Sequence, residues 1–525
     1  MHRKALIPDR TINGFLIFCL IILLAYYIYS ICTSPFTIFH WDPLNGFLAL
    51  KNFEAGGSFN YIHSVLATDV SKTKVEWLSW WSPGQYMIPY FFQTIGHLSF
   101  INSVKATVIF SILVFVPGVI GLFSYFNFSL RVSLFCVLIF LVQRMIFINT
   151  WGYDGGDILF ICFLPWYLRG FLYLYDSGNF LFQFLSIFLL TLFAVFIKLT
   201  FIVVAISLLL FLLLNSFVNR NDVKTNIMSV FSVKNVSAGL GIIFALGVVY
   251  VIFLSKGINP NQLNGIHFLG KDSLELLFMP ISIFSFTGLT TFLLAKSLAA
   301  AVFIYLLLLF TVFVVCRMVM DFKNDRLKLL ILSSGIVFFI YLFYSFNFAH
   351  VSGGDRHLRM ISFLCLPVIM QYLLTRKANL IFFLLTAVIC AGTAYSVFSV
   401  RKFKRQTISH PVVGIRGFDY HTQVGESVSR EMLDTLIRID NEGRDAIFLT
   451  NNYHWALDMK NSRFGVIDGD FMGQGFTVKP PAGSNIYILL NTELFNASRI
   501  ARENKQSLQT VVQSGDNILV KVITE

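Results

Sequence analysis

The chain is 525 residues long, 56% hydrophobic and only 13% charged, with a mean hydropathy of +0.71. That composition excludes a soluble globular protein and a disordered one, and marks a polytopic membrane protein. The net charge of +12 does not point to nucleic acid, because Lys and Arg fall mostly in short loops between apolar runs, where they set topology.

The first apolar run, Ile12 to Ile31, follows the basic start "MHRKALIPDR". It is too long for a signal sequence and has no small-residue cleavage site, so it reads as a retained first span. Runs long enough to cross about 30 Å of hydrocarbon follow near 103–124, 132–148, 157–175, 180–197, 199–218, 236–255, 297–318, 328–348, 360–375 and 378–400; with 12–34 they make eleven. All seven cysteines lie in or beside these runs, which argues against a disulfide scaffold or a Cys-ligated metal.

The stretch 83–100 is marginal in length and carries two prolines and two glycines. If it does not cross and the N-terminus is cytoplasmic, Arg131, Arg220, Lys224, Lys234, Arg317, Lys323, Arg326, Lys328, Arg376 and Lys377 all fall inside, as the positive-inside rule requires. It is therefore expected to be a re-entrant or interfacial segment of a large first exterior loop, 35–102. The basic "RKFKR", Arg401 to Arg405, dissents by lying outside. On this topology nearly all polar sequence faces the exterior, the asymmetry of an enzyme working at the outer leaflet. After Arg405, "SREMLDTLIRI", "DAIFLT", "FGVID", "NIYILL", "ELFNASRIARENKQ" and "NILVKVIT" alternate between helical and strand patterns and predict a small exterior α/β domain, 401–525. The predicted fold is an α-helical polytopic membrane domain, 1–400, with this domain appended.

Asp42 follows the first span in "TIFHWDPLNGFLALKNF". Its simplest role is to cap an interfacial helix with Pro43 at the first position and Leu44, Phe47, Leu48 and Phe53 on one side. A carboxylate pinned there also suits a general base toward a hydroxyl arriving from outside. Asp154 and Asp157 in "WGYDGGDILF" read as a glycine turn and helix cap, or as further carboxylates of the same site. Lys198, between two apolar runs, must snorkel to the surface or pair with an anion. Arg356, His357 and Arg359 in "GGDRHLRMISFLCLP" form a basic cluster suited to bidentate phosphate binding, with Asp355 offering a local ion pair instead. Arg144 is a further buried-cation candidate. In "WLSWWSPGQY", Trp80, Trp81 and Tyr86 read as an interfacial belt or as stacking faces for a sugar, with Gln85 between. His267, Asp272 and Glu275 have ligand chemistry but no metal-site spacing.

The order of these features resembles the GT-C class of membrane glycosyltransferases, in particular the branch of protein O-mannosyltransferases and lipid A aminoarabinose transferases. The matching elements are an early Asp in the first loop (Asp42), the Pro-containing "WWSPGQY", the acidic motif at Asp154 and Asp157, the turn Lys198-Leu199-Thr200, and "RHLRMISFLCLP". Two departures, one carboxylate in "WDP" and "SPGQY" in place of "PPL", leave the metal requirement and the acceptor class open. The resemblance implies inverting transfer of a sugar from a polyprenyl-phosphate donor to a hydroxyl of a lipid, glycan or protein acceptor. Asp42 would be the base. Lys198, Arg356, His357, Arg359 and Arg144 would face the donor phosphate, and Trp81, Gln85 and Tyr86 the acceptor. Asp154 or Asp157 would orient the acceptor or a divalent ion. The expected location is a bacterial plasma membrane. A transporter or flippase for a lipid-linked or anionic solute is the alternative, and a non-catalytic scaffold a third. One-sided charges and the lack of a visible repeat weigh against transport.

Overall fold

A computed structural model describes residues 9–38, 41–67, 69–79, 81–177, 179–218, 228–256, 298–348, 355–376, 378–408, 411–420, 428–442, 445–451, 453–467, 484–498 and 507–523. The helices, in chain order, are α1 (Asp9–Thr33), α2 (Trp41–Glu54), α3 (Gly84–Gly96), α4 (Phe100–Tyr125), α5 (Leu130–Leu141), α6 (Arg144–Phe147), α7 (Gly156–Asp176), α8 (Phe180–Ile197), α9 (Phe201–Val218), α10 (Val233–Ile252), α11 (Leu298–Asp321), α12 (Asp325–Phe348), α13 (Asp355–Arg376), α14 (Ala378–Ile408), α15 (Arg430–Asn441) and α16 (Thr492–Ala497). Every predicted span but 132–148 coincides with one helix. Among the described residues seven helices are long and apolar enough to cross a membrane.

The expected single span at 132–148 is broken instead: α5 and α6 meet at a 61° bend. The cause is local. Gln143 adopts an extended backbone and its side-chain amide donates to the Ile139 carbonyl at 3.2 Å, a group the next helical turn would have used. In the stretch 83–100 the helix is α3, 13 residues stopped by His97 in the left-handed region before α4 begins at Phe100. At 1.5 Å per residue that is about 20 Å, too short to span.

The chain divides into two compact units. The first, Met1–Tyr29, Val108–Thr150 and Gly156–Ser399, is helical. Part of the chain's wealth of phenylalanine fills its interior: Phe140 packs 5.6 Å from Phe115 and 4.9 Å from Phe363, and Phe123 lies 5.5 Å from Phe363. Gly118 lets the Trp166 indole come so close that a Cβ would sit 2.5 Å from it. One end of four helices is tied together by Asp176 of α7, which accepts from Tyr125 of α4 (2.8 Å) and pairs with Lys234 of α10 and Arg326 of α12 (both 2.9 Å).

The second unit, Ser30–Thr107, Trp151–Gly155 and Val400–Glu525, joins the first predicted loop to the polar tail. Its strands are β1 (Thr37–Ile38), β2 (Tyr61–Leu66), β3 (Asp69–Trp77), β4 (Gly152–Tyr153), β5 (Ala446–Thr450), β6 (Arg463–Val466), β7 (Asn485–Asn491), β8 (Leu508–Ser514) and β9 (Asn517–Val522). The main sheet has the order β6-β5-β7-β9-β8, with β6, β5 and β7 parallel and β9 antiparallel to both neighbours. Hairpin β2–β3 lays Val65, Ala67 and Val70 into the same core as Ile447, Leu449, Ile486 and Ile488. Gly465 permits that approach, since a Cβ there would lie 2.8 Å from Val65.

Helix α2 departs from its expected interfacial setting. Residues 43–50 are buried without a break, not on one side only. Phe47 sits among Phe100 (5.1 Å), Tyr153 (5.7 Å) and Phe418 (5.7 Å), and Gly46 faces Tyr86 closely enough that a Cβ would fall 2.8 Å from its ring. Of the residues read as a lipid-facing stripe, Leu44, Phe47 and Leu48 thus belong to the core of the mixed unit, and Phe53 is exposed. The predicted helix "ELFNASRIARENKQ" is observed over α16, and residues 499–506 lie outside the described ones.

Candidate active site

In "WGYDGGDILF" Gly155 takes φ +79°, a region that disfavours side chains, and so turns the chain into α7. Asp157 lies in the first helical turn, where the unpaired backbone N–H groups favour a carboxylate. Lys198 caps the far end of α8 in an extended conformation that ends the helix. Its ammonium reaches Asp157 Oδ1 at 3.1 Å, with the two side chains only 15% and 9% exposed. Gly156 makes room for it: a Cβ there would lie 2.5 Å from Lys198 Cδ and 3.2 Å from Nζ. The structure thus brings together two residues predicted separately, and of the two options for Lys198 it takes the paired one. Such a pair is held against its own desolvation cost, and a phosphate can compete for the ammonium because phosphate, like Asp157, offers anionic oxygens.

The other predicted phosphate ligands are placed less uniformly. Arg359 is on α13 and 3% exposed, so a guanidinium is held inside the helical unit. Arg356 and His357 are on the first turn of the same helix, with side chains outside the described residues. Arg144 heads α6 and is exposed rather than buried, because the bend after α5 frees it from the span in which it was expected.

In the mixed unit, Asp42 is the second residue of α2, not its cap, and its side chain also lies outside the described residues. Pro43 follows in the first turn, where its missing N–H costs no helical bond. A Cβ on Gly155 would lie 3.2 Å from Pro43 and 2.8 Å from Gln85 Oε1, so the start of α2, the start of α3 and the turn at Gly155 pack together. Tyr153 donates to the Gln85 carbonyl at 2.5 Å. Its phenol is pushed well above the ordinary tyrosine range, first by burial and then by the charge of Asp154, which is itself 7% exposed. Gln85 and Tyr86 are both 1% exposed, and the Tyr86 hydroxyl donates to Asn60 Oδ1 at 2.7 Å. Tyr86 therefore fills the core rather than presenting a stacking face.

Trp81 is half-buried on the wall of a cavity of about 220 Å³, together with Asn45, Lys74, Glu76, Tyr453 and Phe464. Sequence reasoning singled out none of these five. The aromatic pair in the tail was the only available signal, and nothing in the sequence links it to the first loop. In the helical unit, α11, α12 and α13 enclose a larger, almost wholly apolar cavity of about 750 Å³, with Asp325 and Lys328 among its lining residues. Trp80, His267, Asp272 and Glu275 lie outside the described residues. Among the described residues no three His, Cys, Asp or Glu side chains gather as a metal site.

No family model and no curated protein matches the sequence. Solved structures do. ArnT from Cupriavidus metallidurans, solved with undecaprenyl phosphate bound, matches over 97% of this chain and 98% of its own at 12% identity and a TM-score of 0.56. Its apo form matches over the same shares at 13% identity and a TM-score of 0.56. The arabinofuranosyltransferase AftD from Mycobacteria matches over 99% of this chain and 40% of its own, at 10% identity and a TM-score of 0.53. At these identities the likeness is one of fold: the chain is a multi-pass, GT-C-like helical protein carrying a small mixed α/β unit.

Proposed function

We propose that the chain is a membrane glycosyltransferase that moves a sugar from a polyprenyl-phosphate donor to an acceptor hydroxyl, with inversion at the anomeric carbon. The observation that carries this reading is the likeness, over nearly the whole of both chains, to a protein solved with undecaprenyl phosphate. The buried Lys198–Asp157 pair supports it from the chain's own residues.

In the reaction, the acceptor oxygen attacks the anomeric carbon from the face opposite the phosphate. The new C–O bond forms as the bond to the phosphate oxygen breaks, and its electron pair leaves with polyprenyl phosphate. Asp42 takes the acceptor proton. Lys198, shared between Asp157 and the phosphate, meets the charge that develops on the leaving group, and Arg359 and Arg356 add positive charge. His357 and Arg144 are lesser candidates for the same task. Asp154 and Asp157 orient the acceptor and the ammonium respectively. The apolar cavity beside α12 has the chemistry to take an isoprenoid tail.

Thermal unfolding of the detergent-solubilised chain tests the donor half of this reading. Undecaprenyl phosphate is expected to raise the midpoint by mass action, and undecaprenol, which lacks the phosphate, to raise it less. Equal effects of the two lipids, or none, would contradict a phosphate-recognising site.

A further inference from the structure

We infer that the mixed unit holds the acceptor by an acidic sugar residue, with its ring in the cavity walled by Trp81, Tyr453 and Phe464 and its anionic substituent in an adjoining cationic cavity. As an acceptor site this rests on the proposed transfer reaction; as a saccharide site it does not.

The first cavity combines aromatic faces with paired polar groups. Tyr453 and Phe464 stack on each other at 5.5 Å, and Trp81 adds an indole. The Tyr453 hydroxyl donates to Asn45 Oδ1 at 2.9 Å, and Lys74 pairs with Glu76 at 3.0 Å. Aromatic rings cover the C–H faces of a sugar, while an amide, a carboxylate and an ammonium exchange hydrogen bonds with its hydroxyls. An apolar ligand would take these groups out of water and offer their remaining donors and acceptors nothing in return. The volume of about 220 Å³ falls below the roughly 300–1,000 Å³ of sites for drug-sized ligands and so suits one monosaccharide.

The second cavity, of about 210 Å³, shares Ile62, Ser64 and Phe464 with the first. Its wall carries Lys51, Lys460, Arg463 and His63, and no carboxylate lines it. Arg463 pairs with Asp445 at 2.6 Å, whereas Lys460 is exposed. A carboxylate or phosphate on the sugar would meet this wall. The site joins loop to tail: Asn45 is on α2, Lys74 and Glu76 are on β3, Phe464 is on β6, and Tyr453 follows β5. That also gives the tail a task.

Isothermal titration of the solubilised full chain, without donor, compares digalacturonate, glucose 6-phosphate and neutral maltose. The expected result is that at least one anionic probe binds more tightly than maltose by about fivefold or more. Which anionic probe does so separates a carboxylate from a phosphate. Trp81→Ala and Glu76→Gln, both outside the apolar core, should each weaken binding by about tenfold. Joint replacement of Lys460 and His63 by Ser should abolish the anionic preference. No binding, equal binding of all three probes, or unchanged binding in Trp81→Ala with an unaltered unfolding midpoint would overturn the inference. Those outcomes would leave the transfer reaction standing, whereas saccharide binding without transfer would refute the reaction and leave the site.

Discussion

Lys198 Nζ lies 3.1 Å from Asp157 Oδ1, joining the end of α8 to the first turn of α7 through a pair almost closed to solvent. Removing one partner leaves the other buried without its ion pair. Lys198→Met should therefore cost about 3–5 kcal/mol, read as a lowered unfolding midpoint, while the double change with Asp157→Asn should recover much of the loss. Gly156→Ala gives a second handle. Its Cβ would occupy the space of Lys198 Cδ, so it should weaken undecaprenyl phosphate binding as Lys198→Met does while keeping both charges. Full affinity in Gly156→Ala would show that the ammonium has no part in donor binding.

Lys51 gives the mixed unit an alkaline signature. Burial lowers its pKa to about 8, Arg416 adds to the depression, and Asp440 and Asp458 oppose it; its ammonium donates to the Ala456 carbonyl at 2.6 Å. Between about 8 and the ordinary 10.5 the unfolded chain binds this proton and the folded chain does not, so stability rises with pH across that window. The destabilisation is fully present below 8 and amounts to ~3 kcal/mol. Relative to Lys51→Met, the wild-type midpoint should climb from pH 8 to 10.5, and parallel curves would refute the assignment.

On the acid side two groups act together. Burial pushes Asp440 up, but backbone N–H groups of Lys460 (2.7 Å), Asn461 (2.9 Å) and Ser462 (2.7 Å) outweigh it and hold the carboxyl below its usual range. Burial lowers His454 to about 3. For both, the unfolded state binds more protons below its ordinary pKa, so the stability present above about 6.5 for the histidine and about 4 for the aspartate is lost as pH falls. Asp458, which burial pushes up, works the other way. Comparing His454→Phe with wild type isolates the histidine: the variant should lose the slope between pH 6.5 and 4. Asp440→Asn should cost about 1–3 kcal/mol at neutral pH by stranding backbone donors.

The spans were legible because hydropathy over some twenty residues is a strong signal, and each predicted run except the bent 132–148 is one helix. The ionic partner of Lys198 was not, because an ion pair across 41 residues of chain leaves no local trace. Helix α2 was misread for a physical reason: the same apolar residues suit a lipid surface and a protein core, and only the arrival of Phe100, Tyr153 and Phe418 decides between them. Hairpin β2–β3 escaped notice because most of β3 is exposed and polar, so "DVSKTKVEW" lacks a buried face beyond Val70. Strand β8, "LQTVVQS", was missed likewise, as an edge strand with little burial.

In the proposed reaction Asp42 is the general base. The direct measurement is sugar transfer by purified Asp42→Asn and wild-type chains, at saturating concentrations of polyprenyl-phosphate donors carrying mannose, glucose, galactose or arabinose, with release of polyprenyl phosphate as the readout. The expected result is that one donor is consumed by the wild type with acceptor present, and that Asp42→Asn lowers its turnover by about 10²–10⁴-fold. Turnover by Asp42→Asn near the wild-type rate would contradict it.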